Sequence, residues 1–317
     1  SNSGDVLKHT TPAIMRAFKG PVWHGQDHED LLCLLFQLLR LARSSPVELE
    51  EHIENPESSA IFQAYPRILA DHEAVSIITD TLRTASLNDD DPYQVEDMLA
   101  KASRGITLFG RDPKHDMLLE GTRVHYGTAG AAVHVVDLET ETYRESTAQD
   151  LHDAARLVHH LDNIHFFQRI CVCRDVVDNF DMDINTLYGA LAGTTKHVGT
   201  SFSDPSHVAG GMELIHLVAG GEAAWRERPF VSNSNCFVVP PMKFAEESCI
   251  TMEALIRAGM PILMLSAGQA GATSPAPIAS SIVQSVAECL AGVVYVNAIA
   301  PGHPAIFGTW PFVSDLR

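Results

Sequence analysis

From residue 164 onward the chain alternates regularly between short apolar segments that suit buried strands and longer segments that suit helices. The predicted strands cover residues 164–173, 196–202, 230–235, 261–265 and 305–307. They begin roughly 30 to 45 residues apart, which is the length that two parallel strands joined through a helix require. The alternation therefore predicts an α/β fold with a parallel sheet, either closed into a barrel or open and doubly wound.

Segment 260–275 shows this repeating unit most clearly. Its apolar run, 262–265, is typical of a strand buried on both faces. Gly268, Gln269 and Gly271 follow, and such small and polar residues let a backbone approach a ligand. Because binding sites in α/β folds lie at the carboxyl ends of the strands, this loop is expected to face a site.

The first part of the chain has a residue pattern that is typical of helices. Residues 27–43 begin with acidic side chains and end with arginines, as the helix dipole favours, and they carry a broad leucine face. Pro46 is expected to end this helix. Farther along, residues 137–141 indicate a hairpin turn, and Thr147 begins a capping box before another helix.

Composition narrows the classes of partner. The chain carries 22 Lys+Arg against 40 Asp+Glu, a formal net charge of -18. Nucleic acids and anionic membranes require clustered positive charge, so neither is expected as a partner. The six cysteines form no paired framework, which is typical of a cytoplasmic protein. Because Gln284, Glu288 and Asn297 interrupt the apolar segment 276–299, we predict a buried helix or a subunit interface there rather than a membrane span.

No motif identifies a catalytic apparatus. The sequence lacks GxxxxGK[ST], GxGxxG and GxSxG. Its 16 histidines raise a metal-dependent barrel hydrolase as an alternative. However, neighbours such as His159 and His160 do not face one another on a helix and make a poor chelate. The hydrolase is therefore the least favoured alternative, and no metal is predicted.

Polar residues cluster where the predicted strands end, and these residues are the candidates for a site. They are Arg174, Asp175, Ser201, Ser203, Asn233, Asn235, Cys236, Gly268, Gln269, Thr309 and Trp310. The set is rich in neutral hydrogen-bonding groups and lacks an obvious general acid and base, so the catalytic residues stay unknown. Such a lining suits a reaction that depends on positioning; ordinary loop residues are an equal alternative.

Eight segments, in order, resemble the trimethylamine methyltransferase family, the corrinoid-dependent methyltransferases of tertiary and quaternary amines. They are VEDMLAKA (95–102), TLFGRDPKHDM (107–117), VHYGTAGAAVHVVD (124–137), LDNIHFFQR (161–169), GTTKHVGTSF (193–202), AGGEAAWRERPFVSNSNCF (219–237), GMPILMLSAGQAGATSP (259–275) and AIFGTWPFVSDLR (305–317). The resemblance covers about residues 93–317.

The resemblance implies a TIM-type (β/α)8 barrel. Only about five β/α units can be counted, in residues 162–317, so we expect an incomplete barrel. A helical region, 1–92, and an α+β segment, 93–161, are predicted to precede it. One edge of such a sheet would be unpaired, and a helix or a partner subunit would have to cover it.

The resemblance also implies an activity, which is transfer of a methyl group from a methylated amine to Co(I) of a corrinoid. That cofactor, cobalamin, is carried by a separate corrinoid protein, so no directly bound cofactor is expected. Every position here is a standard residue, which resembles the branch without pyrrolysine and suggests a glycine betaine-like substrate. A non-catalytic relative that only binds quaternary amines is the alternative, and a homo-oligomer is expected in either case.

For such a substrate, two kinds of side chain are predicted to form the site. Aromatic faces could hold the cation, and core packing is the alternative for each; the candidates are Trp310, Phe312, Phe237 and Tyr126. Amides and a hydroxyl could orient the polar end of the substrate; the candidates are Gln269, Asn233, Asn235 and Thr309. Trp310 and Gln269 are the leading candidates.

Overall fold

The structure, a computed structural model, describes residues 25–72, 74–76, 78–79, 82, 98–310 and 312–313. The chain divides into two units, Ser1–Gln94 and Val95–Arg317. Residues 98–101 are helical, whereas residues 83–97 lie outside the described residues.

The first unit is helical where it is described. Its helices are α1 (Gly25–Ser44), α2 (Pro46–Glu54), α3 (Ala60–Gln63) and α4 (Pro66–Leu69). As predicted, α1 ends before Pro46, and Pro46 occupies the first turn of α2, where its missing N–H breaks no hydrogen bond. The leucine face of α1 is buried through Leu34 and Leu38, which pack with Phe62 and other apolar side chains of this unit.

The second unit opens with two antiparallel hairpins. The hairpins consist of β1 (Ile106–Leu108) with β2 (Met117–Leu119), and of β3 (His134–Val136) with β4 (Tyr143–Glu145). The turn predicted at 137–141 joins β3 to β4. The predicted capping box is present, because Thr147 accepts from the Asp150 N–H while the Asp150 side chain accepts from the Thr147 N–H.

The remainder of this unit alternates strands and helices. In chain order these are α5 (Ala148–His159), β5 (Phe166–Gln168), α6 (Asn179–Gly193), β6 (His197–Thr200), α7 (Val208–Ala219), α8 (Glu222–Glu227), β7 (Val231–Asn235), β8 (Val238–Val239), β9 (Lys243–Phe244), α9 (Glu246–Arg257), β10 (Ile262–Ser266), β11 (Gln269–Ala270), α10 (Ile278–Ile299), β12 (Ala305–Thr309) and β13 (Phe312–Val313).

Five of these strands form one parallel sheet in the order β12-β10-β7-β6-β5. The sheet is curled like half of a barrel, which confirms the predicted α/β class and is compatible with an incomplete TIM-type barrel. Strand β10, from the segment 260–275, is the fourth of the five, as predicted. Each strand follows its predecessor through at least one helix, so the crossovers are of the βαβ type.

The two faces of the sheet have different surroundings. On one face Phe167, Val198 and Met264 join the main hydrophobic core, which is built with the helices. On the other face Gln168 and Ser234 meet, and the Ser234 hydroxyl donates to Gln168 Oε1 at 3.0 Å. Because side chains alternate along each strand, one face supplies the core and the other lines an open interior.

A plug at the amino ends of the strands closes that interior from below. Ile106, Leu108 and Met117 of the first hairpin pack together, with Phe166 of β5 and Ile306 of β12 against them. The plug places the open part of the interior at the opposite, carboxyl ends of the strands.

Buried His197 ties this plug to the sheet. Its Nδ1 donates to the Phe109 carbonyl at 2.8 Å, and its Nε2 accepts from the Ser232 hydroxyl at 2.9 Å. The ring is fully buried, which lowers the pKa of His197 from 6.5 to about 4. The imidazole is therefore neutral at physiological pH, and it acts as a hydrogen-bonded core group.

One edge of the sheet is covered by the chain itself. Gly127 and Ala132 bridge in parallel to Phe166 and Cys171, next to β5. The Ala132 N–H donates to the Ile170 carbonyl at 3.0 Å, and the Ala132 carbonyl accepts from the Val172 N–H at 2.9 Å. Among the described residues β12 is the other edge strand, and there it pairs only with β10.

The apolar helix α10 lies against β10 and β12 on one face only. It is the one helix, among the described residues, whose length and composition would allow it to cross a membrane. Its buried face carries Glu288, whose carboxylate accepts from Ser266 Oγ, from the Met242 N–H at 2.9 Å and from Gln284 Nε2 at 3.0 Å. The prediction of a buried helix therefore holds for one face of α10.

Candidate functional site

A cavity of about 620 Å³ lies at the carboxyl ends of the five parallel strands. All five strands, or the residues that directly follow them, contribute to its wall. The lining consists of Ala129, Gly130, Ala131, Gln168, Arg169, Ser201, Phe202, Ser203, Asn233, Ser234, Asn235, Cys236, Glu247, Ser248, Thr251, Leu263, Leu265, Thr309 and Trp310. Its volume suits a small organic ligand, and its position is where α/β folds bind theirs.

Four of the eight predicted site residues lie in this lining, namely Asn233, Asn235, Thr309 and Trp310. Of the other polar residues predicted at strand ends, Ser201, Ser203 and Cys236 join them. These residues lie at or just after the carboxyl ends of strands that were predicted nearly correctly. They come together because the carboxyl ends of parallel strands lie at the same edge of the sheet.

Gln269 and Phe312 are placed beside the cavity rather than in its lining. They pair with each other in the short parallel ladder between β11 and β13. The Phe312 N–H donates to the Gly268 carbonyl at 3.2 Å, and the Gln269 N–H donates to Thr273 Oγ1 at 2.9 Å. This ladder shapes the loop after β10, while Trp310 is the aromatic residue from this region that reaches the cavity.

Phe237 and Tyr126 are also placed elsewhere, and for Phe237 the structure corrects the prediction. The Phe237 ring is 0% exposed and packs in the main core, edge-on to Phe244 with centroids 5.5 Å apart. A ring on the helix side of the sheet cannot face a ligand on its open side. Tyr126 is 63% exposed and stacks on His165, which directly precedes β5.

The two asparagines of β7 have unused hydrogen-bonding capacity next to the cavity. Asn235 Nδ2 donates to the Ser248 carbonyl at 3.1 Å and to Asn233 Oδ1 at 3.4 Å. Asn233 Nδ2 and Asn235 Oδ1 are buried and have no partner among the described residues. A buried donor and a buried acceptor without partners are costly, so a ligand or water in the cavity would satisfy them.

Three groups that sequence reasoning missed also line the cavity: Gln168, Arg169 and Phe202. The first predicted strand ran to residue 173, but β5 ends at Gln168. Its true carboxyl end therefore presents Gln168 and Arg169. The signal that could have located this end is the change from an apolar pair to glutamine and arginine in FFQR at 166–169.

Arg174 and Asp175, which the longer strand had placed at the site, have structural roles instead. Arg174 forms an ion pair with Glu145 at 3.0 Å. Asp175 Oδ1 accepts from the Ala148 N–H at 2.8 Å, in the first turn of α5. Neither residue lines the cavity.

The buried hydrogen-bond network beside Ser203 fixes one wall of the cavity. Asp183 Oδ2 accepts from the Ser203 N–H, from the Ser203 hydroxyl and from His207 Nδ1, each at 2.8 Å. Because the serine hydroxyl donates to the carboxylate, these three residues do not form a Ser-His-Asp charge-relay arrangement. The network positions the loop after β6.

The Cys236 thiol is a neutral member of the lining. The residue as a whole is exposed, but partial burial of the thiol raises the pKa of Cys236. The positive charge of Arg169 has the smaller, opposite effect of lowering this pKa. Within the part of the chain that the structure describes, no group of three or more His, Cys, Asp or Glu side chains could hold a metal.

Comparison with known proteins assigns the chain to a family. Residues 85–317, nearly three quarters of the chain, match the family model for trimethylamine methyltransferase. The chain belongs to the trimethylamine methyltransferase family. A second, short match, to the Motility protein A N-terminal region, covers residues 1–46, most of which lie outside the described residues.

Relatives in this family are similar over the same region. The trimethylamine methyltransferase of Desulfitobacterium hafniense (strain DSM 10664 / DCB-2) is 30% identical over 231 residues, covering 71% of this chain and 45% of the relative. That of Methanosarcina thermophila is 28% identical over 229 residues, covering 71% and 47%. The glycine betaine methyltransferase of Desulfitobacterium hafniense (strain Y51) is 27% identical over 225 residues, covering 70% and 46%. The chain thus spans about half the length of the curated relatives it matches.

Proposed function

We propose that this chain binds a quaternary or tertiary methylated amine, of the glycine betaine type, and presents its methyl group for transfer to Co(I) of a corrinoid protein. The observation that carries the proposal is the cavity at the carboxyl ends of the strands, lined by amides, hydroxyls and two aromatic rings, in a chain of this family. Names of relatives support a methylated amine as the substrate class.

The residues present fit a reaction that needs orientation more than proton transfer. A reduced corrinoid supplies a strong nucleophile, and a quaternary amine already has a neutral amine as its leaving group. What remains for the chain is to hold the cation and to exclude water from it. Trp310 and Phe202 offer aromatic faces for the cation, and the other hydroxyls and amides of the lining offer hydrogen-bonding groups.

The cavity is also accessible in the way that a carried cofactor would require. Trp310 lines the cavity and is 51% exposed, so a small ligand beside it can be reached from outside. A cavity of about 620 Å³ has room for a small amine, while a macrocycle held by another protein would approach its mouth. The corrinoid protein is accordingly proposed as a partner, and cobalamin as a cofactor that the partner carries.

A second candidate function is binding of quaternary amines without methyl transfer. The observation in its favour is that the cavity lining supplies amides, hydroxyls and aromatic rings, which are binding groups. A binder would use these groups to hold the ammonium ion and would not present a methyl group to a corrinoid.

Two measurements separate these functions. Calorimetric titration with glycine betaine, choline and trimethylamine tests binding, and visible spectra of a Co(I) corrinoid protein with each amine test methyl transfer. Formation of methylcobalamin that depends on both the amine and this chain supports the methyltransferase. Binding without methylcobalamin supports the second candidate, and no binding to any amine of the panel contradicts both.

A further inference from the structure

Arg169 lines the cavity, and no ion pair joins it to another side chain among the described residues. It lies immediately after β5 and lines the cavity, and its backbone N–H donates to the Gly199 carbonyl at 3.1 Å. Its Nε is buried and has no hydrogen-bond partner among the described residues. Two other arginines of the second unit have such partners: Arg174 pairs with Glu145, and Arg111, after the antiparallel strand β1, donates to the carbonyls of Leu191 and Thr194.

Glu247 brings an opposite charge to the same cavity. It lies in the first turn of α9, next to Ser248, whose carbonyl accepts from Asn235. It also lines the cavity, yet it forms no ion pair with Arg169 among the described contacts, so the two charges are more than 4.0 Å apart. The cavity therefore has a positive group after β5 and a negative group in the first turn of α9.

This arrangement matches a ligand that carries both charges. In the sheet, β5 and β7 are separated by β6 alone, and Trp310 follows β12 on the far side of β7. Adjacent strands lie about 4.8 Å apart, so the carboxyl ends of β5 and β7 are about 10 Å apart at the cavity mouth. Arg169 could donate hydrogen bonds to a carboxylate, while Glu247, Trp310 and Phe202 surround an ammonium group.

We propose that Arg169 makes this cavity selective for zwitterionic methylated amines that carry a carboxylate, over simple amines of the same shape. The inference rests on the proposed function and assigns a specificity residue to it. The physical reason is that an unpaired guanidinium repels a simple alkylammonium ion in the same cavity. A carboxylate on the ligand turns this repulsion into a charge-assisted hydrogen bond, which arginine can form through two N–H groups at once.

Glycine betaine and choline are the pair of probes that tests this selectivity. Both carry a trimethylammonium group on a two-carbon chain, and they differ in ending with a carboxylate or with a hydroxyl. For the unmodified chain we expect calorimetry to show glycine betaine binding at least about 10-fold more tightly than choline. Equal affinities, or tighter binding of choline, would overturn the selectivity while leaving amine binding intact.

The variant Arg169→Gln should change the two affinities in opposite directions. Removing the guanidinium should weaken glycine betaine about 10- to 100-fold and should leave choline unchanged or bind it more tightly. Arg169→Lys, which keeps the charge but loses the fork geometry, should lie between the two. A loss of both ligands in equal measure by a folded Arg169→Gln variant would show a structural role and overturn the proposal.

Two controls keep these outcomes distinct. Arg174→Gln removes an arginine at a nearby position that is paired with Glu145 outside the cavity, and it should leave both affinities within about 2-fold. Glu247→Gln should weaken glycine betaine and choline alike, by about 2- to 5-fold, because both carry the ammonium group. If neither ligand binds the unmodified chain, the proposed function itself fails, a result that differs from equal binding of both.

Discussion

At the scale of single residues, Trp310 is the aromatic side chain that the sequence and the structure both place at the site. We expect Trp310→Ala to weaken binding of glycine betaine about 10-fold, because a cation on a partly desolvated indole contributes about 1 to 2 kcal/mol. Calorimetry would measure the change. The matched control is Phe312→Ala, which removes an aromatic ring two residues away that does not line the cavity. Equal losses for the two variants would contradict the role of Trp310.

His197 makes a second prediction at this scale, which concerns stability against pH. Its pKa is about 4 in the folded chain and 6.5 in the unfolded chain, so between these values the unfolded chain binds more protons. The contribution of His197 to the free energy of unfolding is therefore complete above pH 6.5 and falls as the pH drops toward 4. The full loss is on the order of 3 kcal/mol.

Urea unfolding from pH 7.5 to 5 would measure this contribution. In His197→Gln the residue no longer titrates, so the difference in stability between the unmodified chain and the variant should shrink as the pH falls below 6.5. His134→Gln, at an exposed position, serves as the control for which no such change is expected. A difference that stays constant across this pH range would show that His197 is not the titrating group.

At the scale of elements, α7 packs more closely than its sequence suggests. By sequence alone, the glycine pair 210–211 indicates only a weakened helix. Instead, a Cβ on Gly211 would lie 2.5 Å from Cζ of Phe202, and one on Gly210 would lie 2.7 Å from the Phe180 ring. The helix ends at Gly220, whose φ of +86° favours glycine, and α8 follows as a separate helix.

Gly211→Ala should therefore destabilise the chain, although alanine is the better helix former. We expect a loss of about 1 to 3 kcal/mol in the free energy of unfolding, because the added methyl group must displace Phe202. Since Phe202 lines the cavity, amine binding should weaken in the same variant. Glu213→Ala, at an exposed position of α7, should leave both quantities nearly unchanged. Stabilisation by Gly211→Ala would show that the ring moves without cost.

At the scale of the whole molecule, the side of the sheet beyond β12 is an apolar surface. The outer face of α10 exposes Ile278, Ile282, Val283 and Leu290, and the adjacent strand β12 exposes Phe307. An apolar helix face exposed in this way favours association with another chain. The homo-oligomer predicted from the sequence remains a prediction, and this surface is where we expect it to form.

Light scattering after size-exclusion chromatography would test this expectation. Ile282→Lys places a charge in the middle of the exposed face of α10 and should shift the chain toward the monomer at a given concentration. Leu217→Lys changes an apolar residue of α7 that is 80% exposed, away from this surface, and should have no such effect. A chain that is monomeric at every concentration, or two variants that behave alike, would contradict the expectation.

Much of this architecture could be predicted from local sequence. The alternation of apolar runs and helical segments is a local signal, so the five parallel strands and their order along the chain could be predicted. The strand ends at Asn235 and Thr309 were predicted within a few residues of their positions, and Asn233, Asn235, Thr309 and Trp310 accordingly line the cavity. Family membership could be predicted from eight segments in the same order. No single segment would have established it.

What only the tertiary structure decided is the direction of individual side chains and the true end of β5. Side chains alternate between the two faces of a strand, so Phe237 could point to the helices or to the open interior with the same local sequence. Likewise, the end of β5 at Gln168, five residues before its predicted end, brings Arg169 to the cavity and leaves Arg174 paired outside it. Local pattern thus determined which strands form, while packing against α9, α10 and the plug at the amino ends of the strands determined which residues line the cavity.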